Sequence, residues 1–411
     1  MIRPDPYAAM RIRDFRLFIL SRLSITLAIQ IQGVVVGWQI YELTKDPLAL
    51  GLIGLAEAIP AITVSLYAGH LADIVERKKI ILACVSLLAC CSVALFYFTT
   101  NLGSFILQNT ALPIYAVIFV TGIARGFLSP ANFSFMPQLI DRSLYQNAIT
   151  WNSTTWEGAA VCGPMIGGLV YGFFGITAAY SIDVVLVFVA FGCYFSIPNK
   201  PLPPPSEEQG MVEKIKAGIK FVFNNQIILS AISLDLFAVL FGGAVALLPI
   251  FAAEILHVGE IGLGFLRSAP AIGALLTAVY ITHNPIKKNI GKKLLWCIAG
   301  FGLCMIGFSL STSFWLSIGL LILSGMFDCV GVIVRGTLIH TLTPENMKGR
   351  VSAVNSIFVG SSNEIGMLES GVAAKLIGVV PSVIFGGCMT LAVVAITAWK
   401  ATKLRMLDRV N

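Results

Sequence analysis

A set of charged side chains lies inside long apolar runs, where an ionised group is costly and is therefore a candidate for function. Its members are Arg22, Glu57, Arg125, Glu157, Asp183, Asp235, Arg267, Asp328, Arg335, Glu364 and Glu369. The sequence contains no phosphate-binding loop, nucleophile elbow or HExxH motif. It therefore shows neither a recognisable catalytic site nor a motif that would bind ATP. The nine cysteines all fall in apolar runs without metal-ligand spacing. We therefore expect no enzyme activity, no metal and no cofactor.

The elements that position these charges must be membrane helices. The chain is 57% hydrophobic and 12% charged, with a mean hydropathy of +0.86, so one water-soluble core cannot bury its apolar surface. Continuous rather than alternating apolar runs favour helices over a barrel. The predicted spans are 16–41, 48–72, 80–100, 112–136, 150–172, 177–197, 226–253, 261–283, 293–312, 315–337, 351–376 and 380–400.

The distribution of Lys and Arg between alternate loops predicts the orientation. One set of loops contains clusters such as Arg77 to Lys79, whereas the other contains Lys45 and Lys375. Both termini are therefore expected to be cytoplasmic, in a cell inner membrane. The net charge of +7 then reflects the topology. The sequence shows no basic face with interleaved aromatic residues, so it does not predict nucleic-acid binding. The first apolar run lacks a cleavage site and is expected to remain as a span.

The chain divides into two related halves. We predict an N-terminal six-helix bundle at 1–197, a linker with an amphipathic helix on the inner membrane surface at 198–225, and a C-terminal bundle with a tail at 226–411. A shift of 203 positions aligns Gly122 with Gly325 and Gly163 with Gly366, and a shift of 210 aligns Pro60 with Pro270. Duplicated halves are typical of transporters that rock around a midplane site.

The segment "GHLADIVERKK", between the second and third predicted spans, carries a resemblance. It is similar to the signature loop of the major facilitator superfamily at Gly69, Asp73, Arg77 and Lys78, although Glu76 stands where the family often has Gly. The Glu-Arg-Lys-Lys run and "TPENMKGRVSAVNS" resemble the branch that contains the bacterial enterobactin exporter. The resemblance implies twelve transmembrane helices in two pseudo-symmetric bundles.

Asp73 has a physical role in this interpretation. Its carboxylate can meet the positive N-terminal end of the eleventh helix, near Arg350, when the inner side closes. The loop would then act as a latch. The alternative is that Arg77 and Lys78 only anchor the loop through the positive-inside effect.

The fifth span contains "AAVCGPMIGG", which places Gly163, Pro164, Gly167 and Gly168 along one helix. Small residues let a neighbouring helix approach closely, and a proline bends the axis. The pattern resembles an export signature of the superfamily, with Ala159 in place of its first glycine. Ordinary close packing of membrane helices is the alternative.

The family resemblance implies that helices one, four, seven and ten line a central cavity. The candidate cavity and coupling charges on those helices are Arg22, Arg125, Asp235, Asp328 and Arg335, to which the repeat adds Glu57. Arg125 and Asp328 occupy related depths, as do Glu57 and Arg267. Asp328 is the expected proton carrier and Asp235 the reserve. Local structural ion pairs are the alternative.

These features predict a monomeric, proton-coupled exporter of a small amphipathic molecule, with the substrate, protons and membrane lipids as its partners. The resemblance suggests a siderophore, and hydrophobic drugs are the near alternative. An importer or lipid flippase of the same fold is the second hypothesis. A nontransporting scaffold or receptor is the third, and it predicts neither buried charges nor a repeat.

Overall fold

The structure is a computed structural model that describes residues 5–101, 103–107, 110–201, 211–284, 288–344 and 347–408. Within these ranges the chain is helical, without strands. The long helices are α1 (Arg13–Thr44), α2 (Pro47–Ile74), α3 (Arg77–Phe98), α4 (Leu112–Phe135), α5 (Tyr145–Phe174), α6 (Ile176–Ser196), α7 (Gln226–Gly242), α8 (Gly259–His283), α9 (Ile290–Leu310), α10 (Phe314–Leu342), α11 (Lys348–Ile377) and α12 (Val379–Lys400). The shorter elements are Ala9–Arg11, Ser104–Leu107, Met136–Gln138, Arg142–Leu144, Met211–Asn224, Val245–Leu247, Leu248–Ile250, Phe251–Ile255 and Thr402–Arg405.

The long helices confirm the predicted set of spans. Among the described residues, 11 helices are long and apolar enough to cross a membrane. The helix outside that set is α11, which is 30 residues long and therefore about 45 Å in length. It carries Lys348, Arg350, Glu364, Glu369 and Lys375. Its charges lower its hydropathy, but its length suffices to span.

The seventh span extends over Gln226–Ile255, close to its prediction of 226–253, but it is not one continuous helix. Helix α7 ends at Gly242, and the chain continues through short turns to a π-helix at Phe251–Ile255. Gly242 and Gly243 are adjacent, and glycine is among the least favourable residues for continuing a helix. The span is therefore interrupted rather than continuous.

Contacts divide the chain into two compact units. The N-terminal unit contains Met1–Thr44 and Ala56–Ser206, and the C-terminal unit contains Lys45–Leu55 and Glu207–Asn411. The first turns of α2 thus pack with the C-terminal unit, whereas the remainder of α2 belongs to the N-terminal unit. Gly51 shows this packing, because its Cα lies so close to Gly371 on α11 that an added Cβ would be 3.0 Å from the Gly371 Cα.

The two units share one packing pattern. In the N-terminal unit α1 packs on α5 and α6, and α3 packs on α4 and α6. In the C-terminal unit α7 packs on α11 and α12, and α9 packs on α10 and α12. The sequence repeat recurs in the contacts, because Gly122 on α4 lies against Pro60 on α2 and Gly325 on α10 lies against Pro270 on α8.

The predicted amphipathic helix forms at Met211–Asn224, and we call it the linker helix. Its Val222 is fully buried in an apolar cluster with Ile228 and Val354. Gly218 lies against the backbone of Arg350, where an added Cβ would be 2.9 Å from the carbonyl oxygen. Part of the apolar face therefore packs on protein. The preceding residues 202–210 fall outside the described ranges.

Candidate functional site: the charges within the spans

In the N-terminal unit, Glu57 on α2 forms an ion pair with Arg125 on α4. Close packing of the two helices makes the pair possible, since a Cβ at Gly122 would lie 2.5 Å from the Glu57 carbonyl oxygen. Arg125 follows the start of α4 by about 20 Å of helix rise, which is near the middle of a span. The Arg125 side chain is 39% exposed and that of Glu57 19%. The pair therefore joins α2 to α4 within the unit, and both of its side chains are partly exposed.

Arg22 lies on α1, and its Nε donates a hydrogen bond of 3.4 Å to Asn152 Oδ1 on α5. Near the end of α6, the fully buried Tyr194 donates its hydroxyl to Asn132 Oδ1 on α4 at 2.8 Å. Both bonds join helices of the same unit. Arg22 is accordingly tied to a neutral amide rather than to a carboxylate.

In the C-terminal unit, Asp235 on α7 forms an ion pair with Arg335 on α10. Both side chains are more than nine-tenths buried. Two buried ions stabilise a fold only when they meet, because each alone carries a desolvation cost of several kcal/mol. The two predicted cavity charges are thus partners of one another.

Arg267 on α8 and Glu364 on α11 interact through their charges in the same unit. Asp328 on α10 is half-buried, and the described part of the C-terminal unit gives it no ion pair. Arg125 and Asp328 belong to different units. The repeat relates their positions, and the carboxylate that meets Arg125 is Glu57.

The predicted gating loop is a tight turn between α2 and α3. Gly69 and Asp73 fall in the last turns of α2, but their surroundings lie outside the described part of the chain. Arg77 begins α3. Lys78 is buried, and its Nζ donates a 3.0 Å hydrogen bond to the Phe195 carbonyl at the end of α6. A lysine on the last carbonyls of a helix also stabilises the helix dipole, so Lys78 joins α3 to α6.

The small residues of α5 face α1. A Cβ at Gly163 would lie 2.5 Å from the Gln30 Cβ, and one at Gly167 would lie 3.2 Å from the Ile31 Cα. Pro164 and Gly168 are also buried, within a helix that continues to Phe174. The predicted close approach of a neighbouring helix is present. Gly366, the repeat counterpart of Gly163, also lies close to its neighbour α7, with its added Cβ 2.9 Å from the Leu240 carbonyl oxygen.

Sequence reasoning missed an ion pair at the start of α2. Lys375 Nζ lies 2.7 Å from Asp46 Oδ2, and Asp46 also accepts a hydrogen bond from the Leu48 amide. The bond from Lys375 lowers the pKa of Asp46 below its ordinary value. Lys375 and Lys45, which directly precedes Asp46, are the lysines assigned to the outer loops, but no sequence signal identified the carboxylate that Lys375 meets.

Comparisons with known proteins agree with this architecture. The chain is 25% identical over 342 residues to the enterobactin exporter EntS of Escherichia coli O1:K1, covering 83% of this chain and 80% of the relative. It is 26% identical to EntS of Shigella boydii serotype 18 over the same shares of the two chains.

Solved structures share the fold at lower identity. The POT family transporter PepTSo superposes with a TM-score of 0.74 at 15% identity, covering 97% of this chain and 99% of that one. A bacterial homologue of the iron transporter ferroportin superposes with a TM-score of 0.73 at 16% identity, covering 97% of this chain and 100% of that one. A family model described as transmembrane secretion effector matches residues 4–411. With twelve long helices among its described residues and a family model that matches nearly its whole length, the chain belongs to this transmembrane secretion effector family of the major facilitator superfamily.

Proposed function

We propose that the protein exports a small amphipathic molecule in exchange for protons. The observation that carries the proposal is the Glu57–Arg125 ion pair, which lies at mid-span in a chain of the secretion effector family. Similarity to enterobactin exporters supports a siderophore as the substrate, with a hydrophobic drug as the alternative. The expected setting is a cell inner membrane with both termini in the cytoplasm.

The ion pair provides a means of coupling. While Glu57 is ionised, its carboxylate, held by Arg125, accepts hydrogen bonds from donor groups of the substrate, and charge-assisted bonds of this kind are strong. A proton that binds Glu57 removes this charge, so the substrate is released. Loss of that proton to the cytoplasmic side restores the charge and lets the next substrate bind. A proton and a substrate therefore exclude one another on this unit, as exchange requires.

The C-terminal unit supplies the second carboxylate of the mechanism. Asp328 is half-buried on α10, and we retain it as the carrier proposed from sequence, with Asp235 in reserve. Asp235 is the weaker candidate because its ion pair with Arg335 is buried from solvent. We expect Asp328→Asn to lose proton-driven export while keeping some substrate binding, and Arg125→Ala to lose both.

The test uses purified protein in liposomes with an imposed pH gradient, with enterobactin and a hydrophobic fluorescent cation as the two probes. Asp141→Asn is the matched control, because Asp141 is an exposed carboxylate in a loop of the N-terminal unit. Export of one probe that follows the gradient supports the proposal and identifies the substrate class. Normal gradient-driven export by Asp328→Asn removes Asp328 from the mechanism. Uptake of a probe, or movement of labelled phospholipid instead, would establish the importer or the flippase.

A further inference from the structure

The N-terminal unit contains a row of polar side chains that runs inward from the ends of α1 and α5. Glu42, near the end of α1, is exposed and accepts a 2.9 Å hydrogen bond from the Tyr171 hydroxyl on α5. About one turn further in, Tyr180 on α6 is fully buried and donates its hydroxyl to Gln39 Oε1 on α1 at 2.7 Å. The row therefore begins at an exposed carboxylate and continues into the packed interior of the unit.

Asp183 follows on the same face of α6, three residues after Tyr180. Its residue is 1% exposed, and Ser92 on α3 is within hydrogen-bonding reach of its carboxyl group. The other oxygen, Oδ2, has no hydrogen-bond partner among the described residues. An ionised carboxylate with an unsatisfied oxygen is strongly unfavourable in such a site. The geometry therefore suits a carboxylic acid that holds a proton.

Among the described residues, the groups around Asp183 do not supply a compensating cation. The helices packed against α6 are α1, α3 and α5, and the titratable groups near Asp183 are Tyr180 and Cys91, with Tyr171 acting on Tyr180. Arg22, the cation of α1 in this unit's interior, acts on Tyr194 instead. Tyr194 lies about 16 Å further along α6. Protonation is thus the available way to neutralise Asp183.

Thr121 on α4 continues the row toward the ion pair. It is 5% exposed, and its side chain is within hydrogen-bonding reach of Cys91, the neighbour of Ser92. Thr121 precedes Arg125 by one helical turn, on the same face of α4. A hydroxyl can both accept and donate a hydrogen bond, so Thr121 is suited to transfer a proton between two neighbouring groups.

We propose that Asp183 is a proton relay between the exposed Glu42 end of the N-terminal unit and the Glu57–Arg125 pair. A proton from water at that end binds Asp183 Oδ2 and forms the neutral acid. It then passes through the Thr121 hydroxyl, which accepts one proton as it gives up its own, to a Glu57 oxygen. Asp183 is left as a carboxylate that takes the next proton. This role rests on the proposed proton coupling, and it adds a site that no cavity-lining helix carries.

The first experiment follows the Asp183 proton without transport. Infrared difference spectra of the purified protein, recorded as pH is varied, report the carbonyl stretch of a protonated acid. We expect a pH-sensitive band that is absent from Asp183→Asn, retained in Asp141→Asn and shifted in Ser92→Ala. A wild-type spectrum that shows no such band, or whose band does not respond to pH, overturns the relay.

The second experiment measures pH-driven export in liposomes. We expect Asp183→Asn to slow export by roughly 100-fold, the range typical of a lost proton-transfer group, while Asp183→Glu keeps most of it. Thr121→Val, which removes a hydroxyl at nearly constant shape, should also slow export even if Asp183→Asn does not fold. Full pH-driven export by both Asp183→Asn and Thr121→Val overturns the relay. If the wild type is not driven by the gradient, the proposed function fails, and the infrared titration still decides whether Asp183 exchanges its proton.

Discussion

Replacing Gly163 with valine tests whether the close packing of α5 on α1 is needed for transport. An added Cβ would stand 2.5 Å from the Gln30 Cβ, whereas carbon atoms in contact are about 3.5 to 4.0 Å apart. The two helices must therefore separate locally by about 1 Å before the two further methyl groups of valine are placed. Overpacking of this kind costs about 1 to 3 kcal/mol.

The assay compares Gly163→Val with Gly158→Val in the same helix. A Cβ at Gly158 would meet nothing within 4 Å, so this control makes the same chemical change without the steric conflict. We expect both proteins to insert, and only Gly163→Val to melt at a lower temperature and export weakly or with a proton leak. Gly366→Val should reproduce the defect, because its Cβ would lie 2.9 Å from the Leu240 carbonyl oxygen.

One result would refute this reasoning. If Gly163→Val melts at the same temperature as Gly158→Val and transports with tight coupling, then α1 and α5 tolerate being moved apart by the added side chain. The small residues of α5 would then be accidental to export.

Three further predictions follow from charges at different depths. Asp235→Asn should lower the free energy of unfolding by about 3 to 5 kcal/mol, because Arg335 loses its buried partner. In thermal unfolding, the double variant Asp235→Asn with Arg335→Gln should recover part of this loss, and equal melting temperatures of Asp235→Asn and wild type would contradict the prediction. Since Lys375 lowers the pKa of Asp46, their ion pair stabilises the fold fully above the ordinary carboxyl pKa of about 4, and this stabilisation is lost as pH falls through the lowered pKa. Because the pair is exposed, the difference in melting between wild type and Asp46→Asn should correspond to less than about 1 kcal/mol and should vanish in acid. Asp73→Asn should insert normally but transport poorly, and unchanged transport at normal expression would reduce the turn to a topology anchor.

Much of the fold could be predicted because membrane spans depend on local properties. Length and continuous hydrophobicity located each long helix, including α11, whose charges remove it from a simple hydropathy count. The interruption after Gly242 was not predicted, since the apolar run continues through it. The sequence alignment of the two halves correctly identified equivalent helix positions, because Gly122 contacts Pro60 as Gly325 contacts Pro270.

The partners of the buried charges could not be predicted in the same way. Which side chains meet depends on the rotation of each helix about its axis, and hydropathy does not determine that rotation. The repeat placed Arg125 and Asp328 at related depths, but Arg125 pairs with Glu57, and the acid that meets Arg335 is Asp235. Asp183 was visible as a charge in an apolar run, but its unsatisfied oxygen depends on packing.

Local pairing of the charges has a consequence for the proposed transport cycle. The Glu57–Arg125 pair lies wholly within the N-terminal unit and the Asp235–Arg335 pair wholly within the C-terminal unit. Because each pair is neutralised inside its own unit, either unit can move without separating these four charges, and an isolated ion at the centre of a span would cost about 3 kcal/mol or more. Movement alone therefore leaves both pairs intact, and in the proposed exchange only a proton on Glu57 breaks its pair with Arg125. In this mechanism the proton, rather than the rocking motion, determines when the substrate is released.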